Sequence, residues 1–504
     1  MGADTPMSSG ASSDLNRGSY GRKRGWRRAA LVLIGVALLA PLWLVRYPPL
    51  LDYPNHLASS FVLAHLADPA KQFNQFYTAE WGPYPYLAKD VFLLALMRVV
   101  PAETAGRLFL SLCVLALPLA GWFFLRNANA GEEAQSLWVL AVAYNLFFLY
   151  GFLNFALSLA VCLVTLGLWL RYLERPTATR WAIAAAAVLG LYFTHLVGFG
   201  IAGLVATFYC LAARRKLRTM LRTWAMFAPG VLLYLWLRWR IPGPTGGVIF
   251  RTWDDKLDSV FTVVHGYSGR LDWLTLAALA AYFLLAWWRN SEFRWNGRWG
   301  AVAVGFFAVY WVLPWGYGEG SDLDIRVLPM VFVLLLATVK IAARGWRLAP
   351  LVLLVFALRT VNVGQNFRAV QPELEGLARS FAATEPNARV FPIVESPDDD
   401  PIRHEFAHFW AYGVIERGWR APYLFDAPGL TPLRMRESVY TADGFWSLRY
   451  DQPPDWATVQ SEFDYVWAYN TERLAGELGK IGEPVYEAGR LRVFRMKKVS
   501  SKEE

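Results

Sequence analysis

From residue 29 onward, long apolar runs alternate with short basic loops. A helix that crosses a bilayer needs roughly 20 predominantly apolar residues, with about 17 as the short limit. Runs of this kind lie near 29–45, 104–125, 136–150, 153–171, 181–194, 196–212, 222–239, 271–288, 299–315, 326–342 and 348–363. They predict about eleven spans. One further apolar piece, "YLAKDVFLLALMRVV" (86–100), is short and carries Lys89, Asp90 and Arg98. It is expected to lie on the membrane surface rather than cross it. Beyond about residue 365 the long runs stop. There "RVFPIVES", "FDYVWAYN" and "RLRVFRM" read as short strands with helical patterns between them. The pattern predicts a polytopic α-helical membrane protein over 29–365 and a small α/β domain over 366–504, after a polar, basic tail over 1–28.

Composition agrees with that division. The chain is 55% hydrophobic and 18% charged, where a soluble domain carries about 25% charged residues. Its 24 Trp suit interfacial belts. The net charge of +10 is a topology signal, because "RYLERPTATR", "ARRKLRTMLR", "WRNSEFRWNGR" and "KIAARGWR" are loops between spans. Basic loops stay on the cytoplasmic side, so the charge gives no reason to invoke nucleic acid. "GRKRGWRR" before the first span puts the amino end inside and predicts an uncleaved anchor. The hairpin tips "YGFLNF" and "FTHLVGF", the first loop 46–103 and the loops 241–270 and 316–325 then face out. An odd span count puts the C-terminal domain outside as well; residues 366–504 hold 22 of the 40 acidic residues. The expected location is a bacterial-type inner (cytoplasmic) membrane. Cys113, Cys162 and Cys210 sit inside apolar runs without metal spacing and read as packing residues.

The chemistry is concentrated where the first span ends. "LLDYPNHLASSFVLAHL" (50–66) places Asp52, Asn55 and His56 at the hydrocarbon edge, where ionisable groups are costly and are paired, hydrated or functional. Pro54 suits the first turn of a helix. Asp52 is then either the cap that complements the helix dipole or a carboxylate poised at a membrane-level cleft as a base or metal ligand. His65 falls on the apolar stripe and reads as packing.

A span leading into an outer loop with an acidic residue a few positions later resembles the GT-C superfamily of membrane glycosyltransferases. That superfamily includes protein O-mannosyltransferases and the aminoarabinose and arabinosyl transferases. The likeness continues through "YPYLAKDVFLLALMRVVPAETAGRLFLSLCVLALPLAGWFFLR", through the hairpin "GLYFTHLVGFGIAGL", and to an outer α/β tail ending "YVWAYN … GRLRVFRM". The resemblance implies transfer of a sugar from a polyprenyl-phosphate donor to an extracytoplasmic glycan, lipid or protein acceptor, with membrane lipid around the site. It implies that Asp52 is the general base. Asn55, His56, Lys89, Asp90, His195, Arg270 and Arg326 are the candidates for binding donor or acceptor, the cations serving the leaving phosphate. His265 is a further candidate. Many members of the superfamily pair two acids in the first loop, whereas Asp52 is followed by Tyr, Pro, Asn and His. A divalent cation, Mg or Mn, would therefore rest on Asp52 with Asp90 or Glu80.

A second motif competes. "RHEFAHFW" contains His404, Glu405 and His408, an H-E-x-x-H pattern that on a helix can hold zinc with Glu405 activating water. No third ligand is evident in that domain, and the flanking residues also read as a packing helix. The alternatives to a transferase are thus a membrane-anchored zinc metallopeptidase, a transporter and a non-catalytic membrane scaffold.

Overall fold

The computed structural model describes residues 29–131, 133–241, 247–289, 293–318, 320–341, 343–395, 406–426, 428–436 and 454–497. Among them, five helical runs are long and apolar enough to cross a membrane: Ala102–Ala128, Leu153–Glu174, Leu217–Arg240, Gly269–Trp288 and Trp346–Ala383. Shorter apolar helices occupy Ala29–Trp43, Ala178–Thr194 and Leu196–Ala212, and Gly297–Val312 adds another. The chain is a multi-pass membrane protein. The segment at 86–100 forms a helix of only 11 residues, Leu87–Met97, about 16 Å long and too short to span.

Two expected spans differ. The run at 136–150 is broken: a 3₁₀ turn, Ala134–Leu137, leads into Trp138–Ala141, and a second short helix, Leu146–Leu149, starts afresh. Asn145 causes the restart, because its side chain accepts from the Phe147 and Phe148 amides at 3.1 and 3.3 Å, as an N-cap does. The run at 326–342 shrinks to the helix Leu328–Ala337. Just beyond it, the Val339 carbonyl accepts from Gln135 at 2.7 Å and from Asn129 at 2.9 Å. Irregular backbone survives at membrane depth only where protein surrounds it and side chains satisfy it. Both conditions hold, since nearly all of 138–150 is buried.

The two ends of the bundle differ in chemistry. At one end the basic loops meet. Residues Arg294–Trp295 pair with Val339–Lys340, Arg171 donates to Asn127, and Trp181 donates to the Arg222 carbonyl. At the other end lie both hairpin tips, the first loop, the 316–326 segment and the C-terminal domain, as the charge pattern implied.

The C-terminal domain carries a sheet whose strands are β2 (Val390–Val394), β4 (Tyr465–Tyr469), β6 (Leu491–Met496) and β5 (Gly482–Ala488), in that spatial order. β2 runs parallel to β4, and the other neighbours are antiparallel. All five residues of β4 are buried, as expected for an inner strand covered on both faces. The domain also reaches into the first loop: β1 (Tyr77–Ala79) pairs antiparallel with β3 (Leu433–Met435). Tyr77 donates to the Ala421 carbonyl at 2.8 Å, and Tyr47 donates to Glu416 at 2.7 Å.

Candidate functional site

The first-loop helix, Tyr53–Ala64, begins at Asp52, and Pro54 occupies its first turn. Asp52 stands at the cap position, yet its carboxylate makes no cap hydrogen bond. The hydrogen-bonded form of capping is therefore absent, although the carboxylate still stands at the positive end of the helix dipole. The backbone of Asp52 is fixed instead by the hairpin tip, where its amide donates to the Tyr150 carbonyl at 2.9 Å. The next residue, Gly151, has φ +74°, and a Cβ there would stand 2.6 Å from the Tyr53 nitrogen and 2.9 Å from that of Asp52. Only glycine fits that approach.

The Asp52 side chain is 17% exposed. Burial pushes its carboxyl up to about 7, while the charge of Arg326 pulls it down and that of Asp322 adds to the rise. A carboxyl that titrates near neutrality is suited to proton abstraction. The imidazole of His408 comes within 3.5 Å of Asp52 Oδ1 through Nε2. Burial pushes His408 down to about 4, so at neutral pH the contact is between a neutral ring and a carboxyl, not an ion pair.

Of the other predicted contacts, Asn55 proves structural. It is fully buried; its amide donates to the Tyr423 carbonyl at 2.8 Å and its oxygen accepts from the Phe425 amide at 2.9 Å. Its amide is thus engaged by the chain itself rather than presented to an open cleft. His56 packs its ring 4.7 Å from Phe425, and its buried Nδ1 has no partner among the described residues. Burial, with the charge of Lys89 and the neighbouring His408, holds His56 well below its usual value.

Lys89 and Asp90, expected as substrate groups, are buried against one another. Each is 1% exposed and they pair with one another, bridged by Ser60, which donates to Asp90 at 2.7 Å and accepts from Lys89 at 3.1 Å. They anchor the short helix Leu87–Met97 beneath the first-loop helix. Glu80 is bound by Arg434 at 3.0 Å. Neither acid joins Asp52, so the donor set expected for a divalent cation does not converge. Among the described residues no group of three or more metal-ligating side chains forms.

The hairpin tip at His195 brings a cation to the site. Arg326 Nη1 stands 3.3 Å from His195 Nε2, and the guanidinium lies over Phe152 and Phe155 at 4.8 and 5.4 Å. Arg326 Nε is buried without a partner among the described residues. The first loop closes on the same tip, with Tyr86 packed 4.5 Å from the His195 ring and Tyr192 donating to the Pro83 carbonyl at 3.0 Å. Arg270, by contrast, is exposed and makes no hydrogen bond or ion pair among the described residues. His265 is half exposed, 3.9 Å from Asp272, which is held by Arg359 at 2.8 Å.

His404 and Glu405 lie outside the described residues. His408 sits in a run of turns over 406–410 rather than on the helix Ala411–Arg417 that follows. Its two ring nitrogens face Asp52 and Asn55. The sequence offered His408 as a zinc ligand or as a residue of a packing helix with acceptor-side contacts, and its placement beside Asp52 carries no local signal.

No protein-family model and no curated protein sequence matches the chain. Its structure is similar to that of ArnT from Cupriavidus metallidurans in the apo state, with a TM-score of 0.56 over 95% of this chain and 98% of that one, at 13% identity. The chain shares the overall fold of that protein. At 95% of this chain, the similarity spans both the helical bundle and the sheet domain.

Proposed function

We propose that the chain is a membrane glycosyltransferase that takes a sugar from a polyprenyl-phosphate donor, with Asp52 as general base. The observation that carries this reading is Asp52 itself, a carboxyl without a cap hydrogen bond, nearly buried, titrating near 7 and under the influence of Arg326. The GT-C-type fold supports it. Such a donor keeps its lipid in the bilayer and its phosphate at headgroup level, which is where the first loop leaves the first span. The acceptor hydroxyl attacks the anomeric carbon as its proton passes to Asp52. The bond to the phosphate oxygen breaks on the opposite face, with inversion. The leaving polyprenyl phosphate then carries the charge that Arg326 and His195 receive. Its two negative oxygens suit a guanidinium whose Nε has no partner among the described residues.

The basic loops gather at the far end of the bundle, and the positive-inside bias assigns that end to the cytoplasm. The reading therefore has a cytoplasmic amino terminus and an extracytoplasmic site and C-terminal domain in an inner membrane. The acceptor is a glycan, lipid or protein on that side.

The test is release of polyprenyl phosphate from a panel of polyprenyl-phosphate hexoses, pentoses and aminopentoses by the purified chain. Turnover by the wild type and its loss in Asp52→Asn, with a thermal midpoint no lower than that of the wild type, is the expected result. A folded Asp52→Asn protein that turns over like wild type would remove the general-base assignment.

A further inference from the structure

We infer that His408, supplied by the C-terminal domain, is the positioning residue of Asp52, and that Asn55 fixes the tautomer in which it acts. The inference rests on the reading of Asp52 as the base and adds to it a residue 353 positions away from Asn55 in the chain.

The direction of each bond can be settled from fixed groups. The Phe425 amide can only donate and the Tyr423 carbonyl can only accept, so Asn55 Oδ1 faces the former at 2.9 Å and Nδ2 faces the latter at 2.8 Å. The amide orientation is therefore not the usual open choice. Nδ2 then presents its other proton to His408 Nδ1 at 3.3 Å, and a neutral ring that accepts at Nδ1 carries its proton on Nε2. That nitrogen lies 3.5 Å from Asp52 Oδ1. A contact of this length is loose for a hydrogen bond, as catalytic contacts in unliganded sites are before substrate tightens them.

The ring is held from its sides as well. Phe425 and Trp410 lie 5.4 and 6.4 Å from it, and His408 is 9% exposed while Asn55 is wholly buried. His408 titrates far below Asp52, so it remains a neutral donor throughout the range in which the base works. Its service is to hold the orientation of the carboxyl at Oδ1 and to offset part of the cost of a buried carboxylate. Arg326 and Asp322 act on the same carboxyl, and His56, Lys89 and Asp90 lie on the elements beneath it; none of these is altered in the test. The C-terminal domain is thereby a component of the site and not only a cover for it.

The experiment uses the full chain in detergent. Infrared difference spectra give the carbonyl stretch of the protonated Asp52 carboxyl, identified by its disappearance in Asp52→Asn, and its titration midpoint. Removing a donor from a carboxylate destabilises the charged form, so His408→Leu is expected to raise that midpoint by about one pH unit. His408→Gln, whose amide nitrogen replaces Nε2, is expected to hold it within a few tenths of a unit. On the donor, His408→Leu is expected to lower kcat with KM unchanged. A folded His408→Leu protein with the wild-type midpoint overturns the inference. The wild type provides a second check that no folding defect can obscure: nitrogen-15 spectra of the His408 ring should report the Nε2–H tautomer from pH 5 to 8. An Nδ1–H tautomer, or an imidazolium at pH 6, overturns it too. The transferase reading stands or falls separately, on turnover by Asp52→Asn.

Discussion

Arg326 Nη1 and His195 Nε2 face one another across 3.3 Å, and both carry protons. His195 caps the helix Leu196–Ala212 by accepting the Val197 amide at Nδ1, at 3.1 Å. A neutral ring that accepts there must hold its proton on Nε2. The approach is thus donor against donor, and beside it Arg326 Nε has no partner among the described residues, while Nη2 donates to the Ser321 carbonyl at 3.0 Å. An anion relieves that approach.

From that relationship follows the first prediction. Arg326→Gln should weaken binding of undecaprenyl phosphate to the detergent-purified chain by about tenfold or more, the worth of one or two charge-assisted hydrogen bonds. Arg326→Lys should recover only part, because a point charge cannot reproduce the fork. Titration followed by native mass spectrometry measures both. Equal affinity in all three proteins would place the phosphate elsewhere.

A second prediction concerns pH. Because Asp52 titrates near 7, turnover should rise through about pH 7 and level off above it. The stability effect has the opposite sign. The folded carboxyl binds its proton up to about 7, whereas the unfolded one releases it near 3.8. Between those values the native state holds more protons, so stability falls as pH rises through the window and the full cost is present above 7. Asp52→Asn should therefore melt above wild type at pH 8, and the gap should close by pH 4. A gap of the same size at both pH values would contradict the raised carboxyl.

Gly151 supports a third. Gly151→Ala must accept φ +74° and bring a Cβ within 2.6 Å of backbone, which left-handed strain alone makes costly by about 1–3 kcal/mol. If the turn moves to accommodate it, Asp52 moves too, and a displacement near 1 Å can cost about a hundredfold in rate. The expected result is a lowered thermal midpoint together with a lower kcat. Full activity at a reduced midpoint would show that the tip does not position the carboxylate.

Much of the frame could be read from the chain because its causes are local. Basic loops and apolar runs separated the two ends of the bundle, and alternating β-branched and aromatic residues marked β2, β4 and β6. β5 escaped notice: its pattern is mostly exposed, and Pro484 sits beside the register shift opposite Val493 and Phe494. The turn before β6, with Gly489 at φ +57°, was the one signal that could have exposed the hairpin. Asp52 was legible from its depth and its neighbours. The commitment of Asn55, Lys89 and Asp90 to structure was not, nor was the arrival of His408, since these depend on partners that only tertiary packing brings together.

The fourth prediction tests the buried pair that supports the first-loop helix. Lys89 and Asp90 are each 1% exposed, and Asp90 Oδ2 has no hydrogen-bond partner among the described residues, so Lys89 is the cation that balances a desolvated carboxylate. Lys89→Met leaves that charge unpaired, and breaking such a pair costs about 3–5 kcal/mol. Removing both charges with Lys89→Met and Asp90→Leu should recover most of the loss, because the desolvation of two ions disappears along with their attraction. If Lys89 instead served substrate, the double variant would fold well and still lose donor affinity. Thermal midpoints of the single and double variants, read beside undecaprenyl phosphate binding, separate the two roles: recovery of both quantities fits an anchor under the helix that carries Asp52.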